Sequence, residues 1–167
     1  MTHLTVARAP ILLVVGLALA LGACAKTTAE NDALNGAAAG AGGGPGSYQE
    51  FSSSVGDRVF FDTDQTEVNE QGQATLDKQA SWLNRYNRYN FTIEGHADER
   101  GTREYNFALG SRRAENVKNY LVSKGVSAAR MKTISYGKER PVATCDDIFC
   151  WSQNRRAVTV LEGAPGS

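Results

Sequence analysis

Charged side chains and one histidine cluster in a short central stretch, residues 94–106, which reads EGHADERGTREYN. The stretch holds six charged residues together with His96. A carboxylate such as Asp98 can accept an ammonium group, and a guanidinium such as Arg100 can bind a carboxylate through two parallel hydrogen bonds. Three interpretations follow: a catalytic site built on His96, a metal site, or a cradle for a charged ligand.

Strand and helix patterns around this stretch predict how its side chains are positioned. Residues 90–98, NFTIEGHAD, alternate apolar and polar side chains as a half-buried strand does. A long helix is expected over residues 102–124, with Thr102 as its N-cap and Gly125 as its stop. The helical period places five residues on one apolar stripe: Phe107, Gly110, Ala114, Val117 and Leu121.

The flank beside that stripe carries Asn106, Leu109 and Arg113. Arg112 points roughly 100° away from Arg113, so only one of the two arginines can lean over the loop that holds Asp98. We therefore expect a carboxylate and a guanidinium around one hollow at the end of the sheet, an arrangement that can recognise the zwitterionic end of an amino acid. An internal Asp98–Arg113 salt bridge, or a solvated run of charges, is equally compatible with the spacing.

The remaining patterns predict the fold class. Strands are expected at residues 57–62, 132–137 and 156–162. Residues 69–86 read as a helix with Leu76, Ala80 and Leu83 on one stripe. Strands that alternate with helices predict an α/β (α+β) sandwich, with a small mixed sheet of about four strands and helices on one face.

The catalytic and metal interpretations have little support in the sequence. His96 is the one histidine after residue 23, and no G-x-S-x-G motif or cysteine nucleophile accompanies it. A metal site needs three or four ligands at suitable spacing, whereas only Glu94, His96 and Asp98 lie close together. We predict no enzyme, no metal and no cofactor, with His96 as a strand-end residue bonded to a loop. The alternative is a hydrolase or metalloenzyme that uses His96.

The first residues predict export and a lipid anchor. Arg8 precedes an apolar run over residues 11–21, which is too short to span a bilayer. The run ends in Leu-Gly-Ala before Cys24, a pattern typical of a bacterial lipobox. Residues 1–23 are therefore a predicted signal peptide and Cys24 the predicted lipidation site. By resemblance to enterobacterial sorting, Ala25 after that cysteine implies the outer membrane.

A flexible tether is predicted between the anchor and the domain. Residues 36–46 consist only of Gly, Ala and Pro, so residues 24–49 are predicted to be the lipidated cysteine and its tether. Residues 50–167 form the predicted domain. Without Arg8 the chain keeps 17 of its 18 basic residues against 18 acidic ones, a balance that argues against a nucleic-acid binder. Cys145 and Cys150 in an exported chain predict a disulfide.

Several long motifs resemble one known family. The segment TIEGHADERGTREYNFALGSRRAENVKNYL, residues 92–121, resembles the peptidoglycan-binding signature of OmpA-like domains. VFFDTDQTEV, ISYGKERPVA and SQNRRAVTVL also match lipoproteins of that family, in the same order along the chain. The similarity covers residues 59–161, and the lipobox and tether lie where those lipoproteins have them.

The resemblance implies a binding role for particular residues. The expected ligand is the meso-diaminopimelate of uncrosslinked peptidoglycan stem peptides, with Asp98 binding its ammonium and Arg113 its carboxylate. The further site residues implied by the resemblance line the pocket, close its other side or hold its loop: Arg100, Leu109, Phe61, Asp62 and Asn106. The Cys145–Cys150 pair lies in a segment that varies within the family.

The resemblance also implies partners and a cellular role. The expected partners are diaminopimelate-type peptidoglycan, the β-propeller protein TolB and the rest of the Tol complex. The protein is expected on the periplasmic face of the outer membrane, where it links membrane to cell wall and supports constriction at division. Two alternatives remain. One is a periplasmic cell-wall hydrolase or metalloenzyme that uses His96, and the other is a purely structural or TolB-docking module without affinity for the wall.

Overall fold

The structure, a computed structural model, describes residues 43–163. The predicted signal peptide, the lipidation site Cys24 and most of the predicted tether lie outside these residues. Between residues 43 and 163, no helix is both long enough and apolar enough to cross a membrane.

Strands and helices follow one another much as the sequence predicts. The strands are β1 Arg58–Phe60, β2 Phe91–His96, β3 Met131–Gly137 and β4 Arg156–Leu161. The helices are α1 Tyr48–Glu50, α2 Glu70–Arg85, α3 Arg103–Ser123 and α4 Ile148–Asn154, with a π-helical turn at Phe51–Gly56 and a 3-10 turn at Ala128–Arg130. The short helix α4 lies in a segment for which no element was predicted.

The four strands form one mixed sheet in the order β1-β4-β2-β3. β4 pairs antiparallel with both β1 and β2, while β2 and β3 run parallel and are joined through α3. Phe91 and Ile93 point from β2 into the core. They meet Leu76 and Leu83 of α2 and Leu121 of α3 there. The predicted fold class is confirmed.

Local signals set the ends of α3. The Thr102 hydroxyl accepts a hydrogen bond from the Tyr105 amide at 3.2 Å, which satisfies one of the unpaired amides of the first turn. The helix ends at Ser123, and Gly125 follows with φ +87°, a conformation that favours glycine. Both predicted boundary residues, Thr102 and Gly125, are confirmed. The start of α3 brings the β2–α3 loop, residues 97–102, to the end of the sheet.

Two glycines allow α3 to lie very close to the sheet. A Cβ atom built on Gly95 of β2 would lie 1.8 Å from the carbonyl oxygen of Gly110 in α3. One built on Gly110 would lie 2.5 Å from Ser135 Oγ on β3. Because neither position has room for a side chain, the helix axis is fixed directly above the end of β2.

The apolar stripe of α3 is confirmed except at its first member. Ala114, Val117 and Leu121 are buried, but the Phe107 side chain is 56% exposed, so its predicted core position is wrong. β3 ends at Gly137, beside the Phe107 backbone. Phe107 instead lines an open groove of about 590 Å³ together with Tyr136 and other residues.

Only residues 43–49 of the predicted tether lie in the described part of the chain. Within them, Gly46 and Ser47 are buried against the domain. The Tyr89 hydroxyl donates to the Gly46 carbonyl at 2.7 Å, and the Gly46 amide donates to the Glu50 carboxylate at 2.6 Å. These contacts attach the start of the described chain to α1 and to the loop after α2.

Candidate functional site

The Asp98 carboxylate is the acidic centre of the site. It follows the end of β2 by two residues, and only 7% of the residue is exposed. Oδ1 accepts from the Arg100 amide and from Arg100 Nε, both at 3.2 Å. Oδ2 accepts from Arg100 Nη2 at 2.7 Å and from Arg155 Nη1 at 3.2 Å. Burial alone would raise the pKa of Asp98, but the hydrogen bonds from Arg100 and Arg155 lower the pKa below its usual value.

Arg113 lies beneath the site and does not pair with Asp98. Its exposed fraction is 0%, and its guanidinium donates to the carbonyls of Gln65 at 2.9 Å, His96 at 2.8 Å and Asp62 at 3.2 Å. The predicted helix face is confirmed, since Arg112 is exposed. Burial, followed by the charge of Arg155, lowers the pKa of Arg113 to about 10, so the side chain stays charged at neutral pH.

Asp98 and Arg113 form no salt bridge among the described residues, although the sequence left that interpretation open. Arg113 instead connects the β2–α3 loop, at His96, with the loop after β1, at Asp62 and Gln65. A guanidinium has five N–H groups. Three of them bind these carbonyls, and the other two donate to no group among residues 43–163.

Arg155 is a site residue that the sequence reasoning missed. It lies between α4 and β4, only 6% exposed, and contacts Asp98 through Nη1. Its Nε donates to the Phe61 carbonyl at 3.0 Å, and its own carbonyl accepts the Phe61 amide at 2.9 Å. The sequence does carry a signal for Arg155, because two arginines, Arg155 and Arg156, stand at the start of an apolar strand. Side chains alternate between the two faces of a strand, so each face receives one of the two.

The other predicted site residues lie around this centre. Asn106 donates to the Arg100 carbonyl at 2.6 Å, so it holds the loop as expected. Leu109 is buried on the same face of α3. Phe61 is buried with its ring 5.0 Å from Arg113 Cζ, whereas the Asp62 side chain is exposed. A cavity of about 290 Å³ opens here, lined by Phe60, Phe61, Asp62, Asn69, Ser152, Gln153 and Arg155.

His96 is unsuited to catalysis. The residue is 1% exposed, and neither ring nitrogen has a hydrogen-bond partner among the described residues. The expected hydrogen bond from its ring to a loop is therefore not formed, although its carbonyl accepts from Arg113. Burial, followed by the charges of Arg156 and Arg140, lowers the pKa of His96 to about 3. Glu94 Oε2 is 3.5 Å from Nε2, but the neutral ring forms no ion pair with it. His96 therefore does not support the hydrolase or metalloenzyme alternative.

The two cysteines fix the start of α4. Cys145 and Cys150 form the predicted disulfide, with their Cα atoms 5.6 Å apart. Asp147 lies beside them, and the three side chains are close enough together to suggest a metal site. The sulfurs are joined to each other, however, and Asp147 caps α4 by accepting from the amides of Phe149 and Cys150. This group therefore stabilises the helix that precedes Arg155.

Known proteins share both the sequence and the fold of this chain. The OmpA family profile matches residues 60–155. The chain is 62% identical over 161 residues to the peptidoglycan-associated lipoprotein of Rhizobium meliloti, covering 96% of this chain and 92% of that protein. It is 41% identical to the peptidoglycan-associated lipoprotein of Haemophilus influenzae, covering 88% and 94%.

Solved structures agree with this assignment. The peptidoglycan-associated lipoprotein of Burkholderia pseudomallei superposes with a TM-score of 0.64 at 43% identity, covering 66% of this chain and 96% of that one. The C-terminal domain of Helicobacter pylori MotB superposes at 0.59 with 20% identity, covering 63% and 83%, and shows the shared fold alone.

The chain belongs to the OmpA family, a family of binding domains and not of enzymes. Within it, the chain is a member of the peptidoglycan-associated lipoproteins.

Proposed function

We propose that this protein binds, without catalysis, the meso-diaminopimelate of uncrosslinked peptidoglycan stem peptides. The observation that carries the proposal is a nearly buried carboxylate, Asp98, placed among guanidiniums in a member of the peptidoglycan-associated lipoproteins. The free end of diaminopimelate carries one ammonium and one carboxylate on the same carbon. A site with both charges, beside a cavity of about 290 Å³ that Phe61 and Arg155 line, suits that end.

Asp98 is the proposed partner of the ammonium. Its lowered pKa keeps the carboxyl group ionised at any pH near neutrality, and the β2–α3 loop holds it within reach of solvent. A lysine ammonium would meet Asp98 in the same way, so this half of the site does not distinguish cell-wall types.

Arg113 and Arg100 are the proposed partners of the carboxylate. In this proposal the buried Arg113 supplies a permanent charge and its two remaining N–H groups, while the half-exposed Arg100 side chain approaches from the surface. Lysine at the same stem position lacks this carboxylate and would leave the guanidiniums without an anion. Preference for diaminopimelate over lysine therefore resides in the arginines.

Co-sedimentation with purified sacculi tests the proposal. The full chain is expected to pellet with diaminopimelate-type sacculi and much less with lysine-type sacculi. Asp98→Asn keeps the shape of the side chain but not its charge, and should abolish pelleting, a loss of roughly 2–5 kcal/mol in binding. Asp146→Asn, at an exposed acid in the loop before α4, is the control. Wild-type pelleting by Asp98→Asn would overturn the assignment.

We further propose that the protein is anchored by lipid on Cys24 to the periplasmic face of the outer membrane and works with TolB in the Tol–Pal system. The support is the lipobox pattern and membership of this lipoprotein family. In this role it would link the membrane to the wall and support envelope integrity and constriction at division. Cys24→Ser should release the protein from sedimented outer membranes, and co-purification of crosslinked TolB tests the partner. Retention of Cys24→Ser in those membranes would contradict the anchor.

A further inference from the structure

Helix α4 is attached firmly to the loop before it. Besides the Cys145–Cys150 disulfide, the Asn154 side chain accepts from the amides of Val142 at 2.9 Å and Ala143 at 3.2 Å. Asn154 also donates to the Ala143 carbonyl at 2.8 Å. The next residue, Arg155, is bonded to Asp98. α4 is thus held at both ends and forms a fixed wall beside the site.

Trp151 projects from this wall onto Arg100. The centroid of one of its rings is 4.2 Å from Arg100 Cζ, and the indole Nε1–H donates to the Glu99 carboxylate. Arg100 therefore lies between Trp151 on one side and Asp98 on the other. The face of a guanidinium can stack on an aromatic ring while its N–H groups, which lie in the plane, still bind a carboxylate.

Asp98 has no acceptor site left for an ammonium while Arg100 stays where it is. A carboxylate offers about four lone-pair sites. Arg100 occupies three of them, through its amide, Nε and Nη2, and Arg155 occupies the fourth. A ligand ammonium must therefore displace the Arg100 side chain, because Arg155 is buried and bonded to Phe61 as well.

We propose that Trp151 is a positioning residue for ligand binding, which acts through Arg100. When the ligand ammonium displaces Arg100 from Asp98, the stacked indole keeps the guanidinium beside the site, where it binds the ligand carboxylate. Without Trp151, the displaced side chain would be released into solvent. This inference rests on the proposed binding of diaminopimelate.

The two cell-wall amino acids separate this role from simple packing. Only diaminopimelate has the carboxylate that Arg100 would bind, so Trp151 should matter for diaminopimelate and not for lysine. Loss of a residue that merely supported the fold would lower the affinity for both ligands equally. The ratio of the two affinities, and not either affinity alone, therefore measures the contribution of Trp151.

The test is an NMR titration of the full chain with two stem tripeptides, one ending in meso-diaminopimelate and one with lysine in its place. In Trp151→Ala and Trp151→Leu, the affinity for the diaminopimelate tripeptide should fall about tenfold. Their affinity for the lysine tripeptide should stay unchanged, so the preference for diaminopimelate falls. Trp151→Phe, which keeps an aromatic face, should stay within about threefold of wild type. Phe149→Ala, at a residue of the same helix that is 69% exposed, is the matched control.

Trp151→Leu keeps most of the side-chain volume, so it tests the aromatic face even if the alanine variant unfolds. Wild-type preference in Trp151→Leu, or an equal loss for both tripeptides, would overturn the role of Trp151. Asp98→Asn in the same titration separates the two proposals. If Asp98→Asn loses binding while Trp151→Leu keeps the wild-type preference for diaminopimelate, only the proposed role of Trp151 is contradicted. If it binds the diaminopimelate tripeptide like wild type, both fail.

Discussion

Arg155 Nη1 lies 3.2 Å from Asp98 Oδ2, and the two side chains are 7% and 9% exposed. The same guanidinium donates from Nε to the Phe61 carbonyl. One side chain therefore joins the α4–β4 junction to the loop after β2 and to the end of β1. The Asp98 carboxylate is held by the fold itself and not only by its half-exposed neighbour Arg100.

Arg155→Met should destabilise the protein strongly. It would leave one acceptor site of the nearly buried Asp98 carboxylate and the Phe61 carbonyl without a donor, at about 1–3 kcal/mol for each buried group. Urea denaturation at pH 7 would measure the free energy of unfolding. Arg112→Met, at an exposed arginine of α3, should change it by less than about 0.5 kcal/mol. Similar values for the two variants would show that Arg155 contributes little.

The fold could be predicted from the sequence because its signals are local. Alternation in β2, the cap at Thr102 and the stop at Gly125 each depend on neighbouring residues. Helical period alone also identified Arg113, and not Arg112, as the arginine that faces the site. Phe107 was assigned wrongly because period does not reveal where the sheet beneath a helix ends.

The partners within the site could not be predicted in this way. Arg113 binds carbonyl groups of two loops, and the positions of those carbonyls depend on the tertiary structure. Arg155 is far from Asp98 in sequence, and the chain brings them together only once β4 lies beside β2. The contact of Trp151 with Arg100 depends on α4, a helix of seven residues that has no apolar period long enough to be recognised.

Arg113→Lys should destabilise the protein although it keeps the charge. An ammonium cannot reach three carbonyls that surround a planar guanidinium, so one or two of them would lose their donor, at about 1–3 kcal/mol each. Thermal and urea denaturation should show a loss of roughly 2–4 kcal/mol. Arg112→Lys serves as the control on the adjacent residue. Equal stability of both variants would mean that the carbonyls find other donors.

Gly95→Ala should prevent normal folding. The new methyl group would lie 1.8 Å from the Gly110 carbonyl oxygen, and backbone on both sides leaves no flexible group to move away. Forced overpacking costs about 1–3 kcal/mol in ordinary cores, and this contact with backbone should exceed that range. The yield of folded protein and its melting temperature are the measurements. Gly44→Ala, with no atom within 4 Å of the new Cβ, should match wild type. A normally stable Gly95→Ala protein would show that α3 can shift away from the sheet.

His96 should make the protein less stable in mild acid. The unfolded chain takes up a proton on this residue below about pH 6.5, whereas the folded protein keeps the ring neutral down to about pH 3. Its contribution to stability is therefore complete above pH 6.5 and is lost progressively as the pH falls towards 3. The resulting slope is at most about 1.4 kcal/mol per pH unit.

His96→Phe should remove that slope. The imidazole nitrogens have no hydrogen-bond partners among residues 43–163, so an apolar ring that still packs on Tyr136 should cost little at pH 7. Urea denaturation between pH 7 and 5.5 would compare the two proteins. Glu94, whose pKa is raised by burial, is present in both. His3, in the predicted signal peptide, is the same in both. An unchanged slope in His96→Phe would mean that the buried ring is not what makes stability depend on pH.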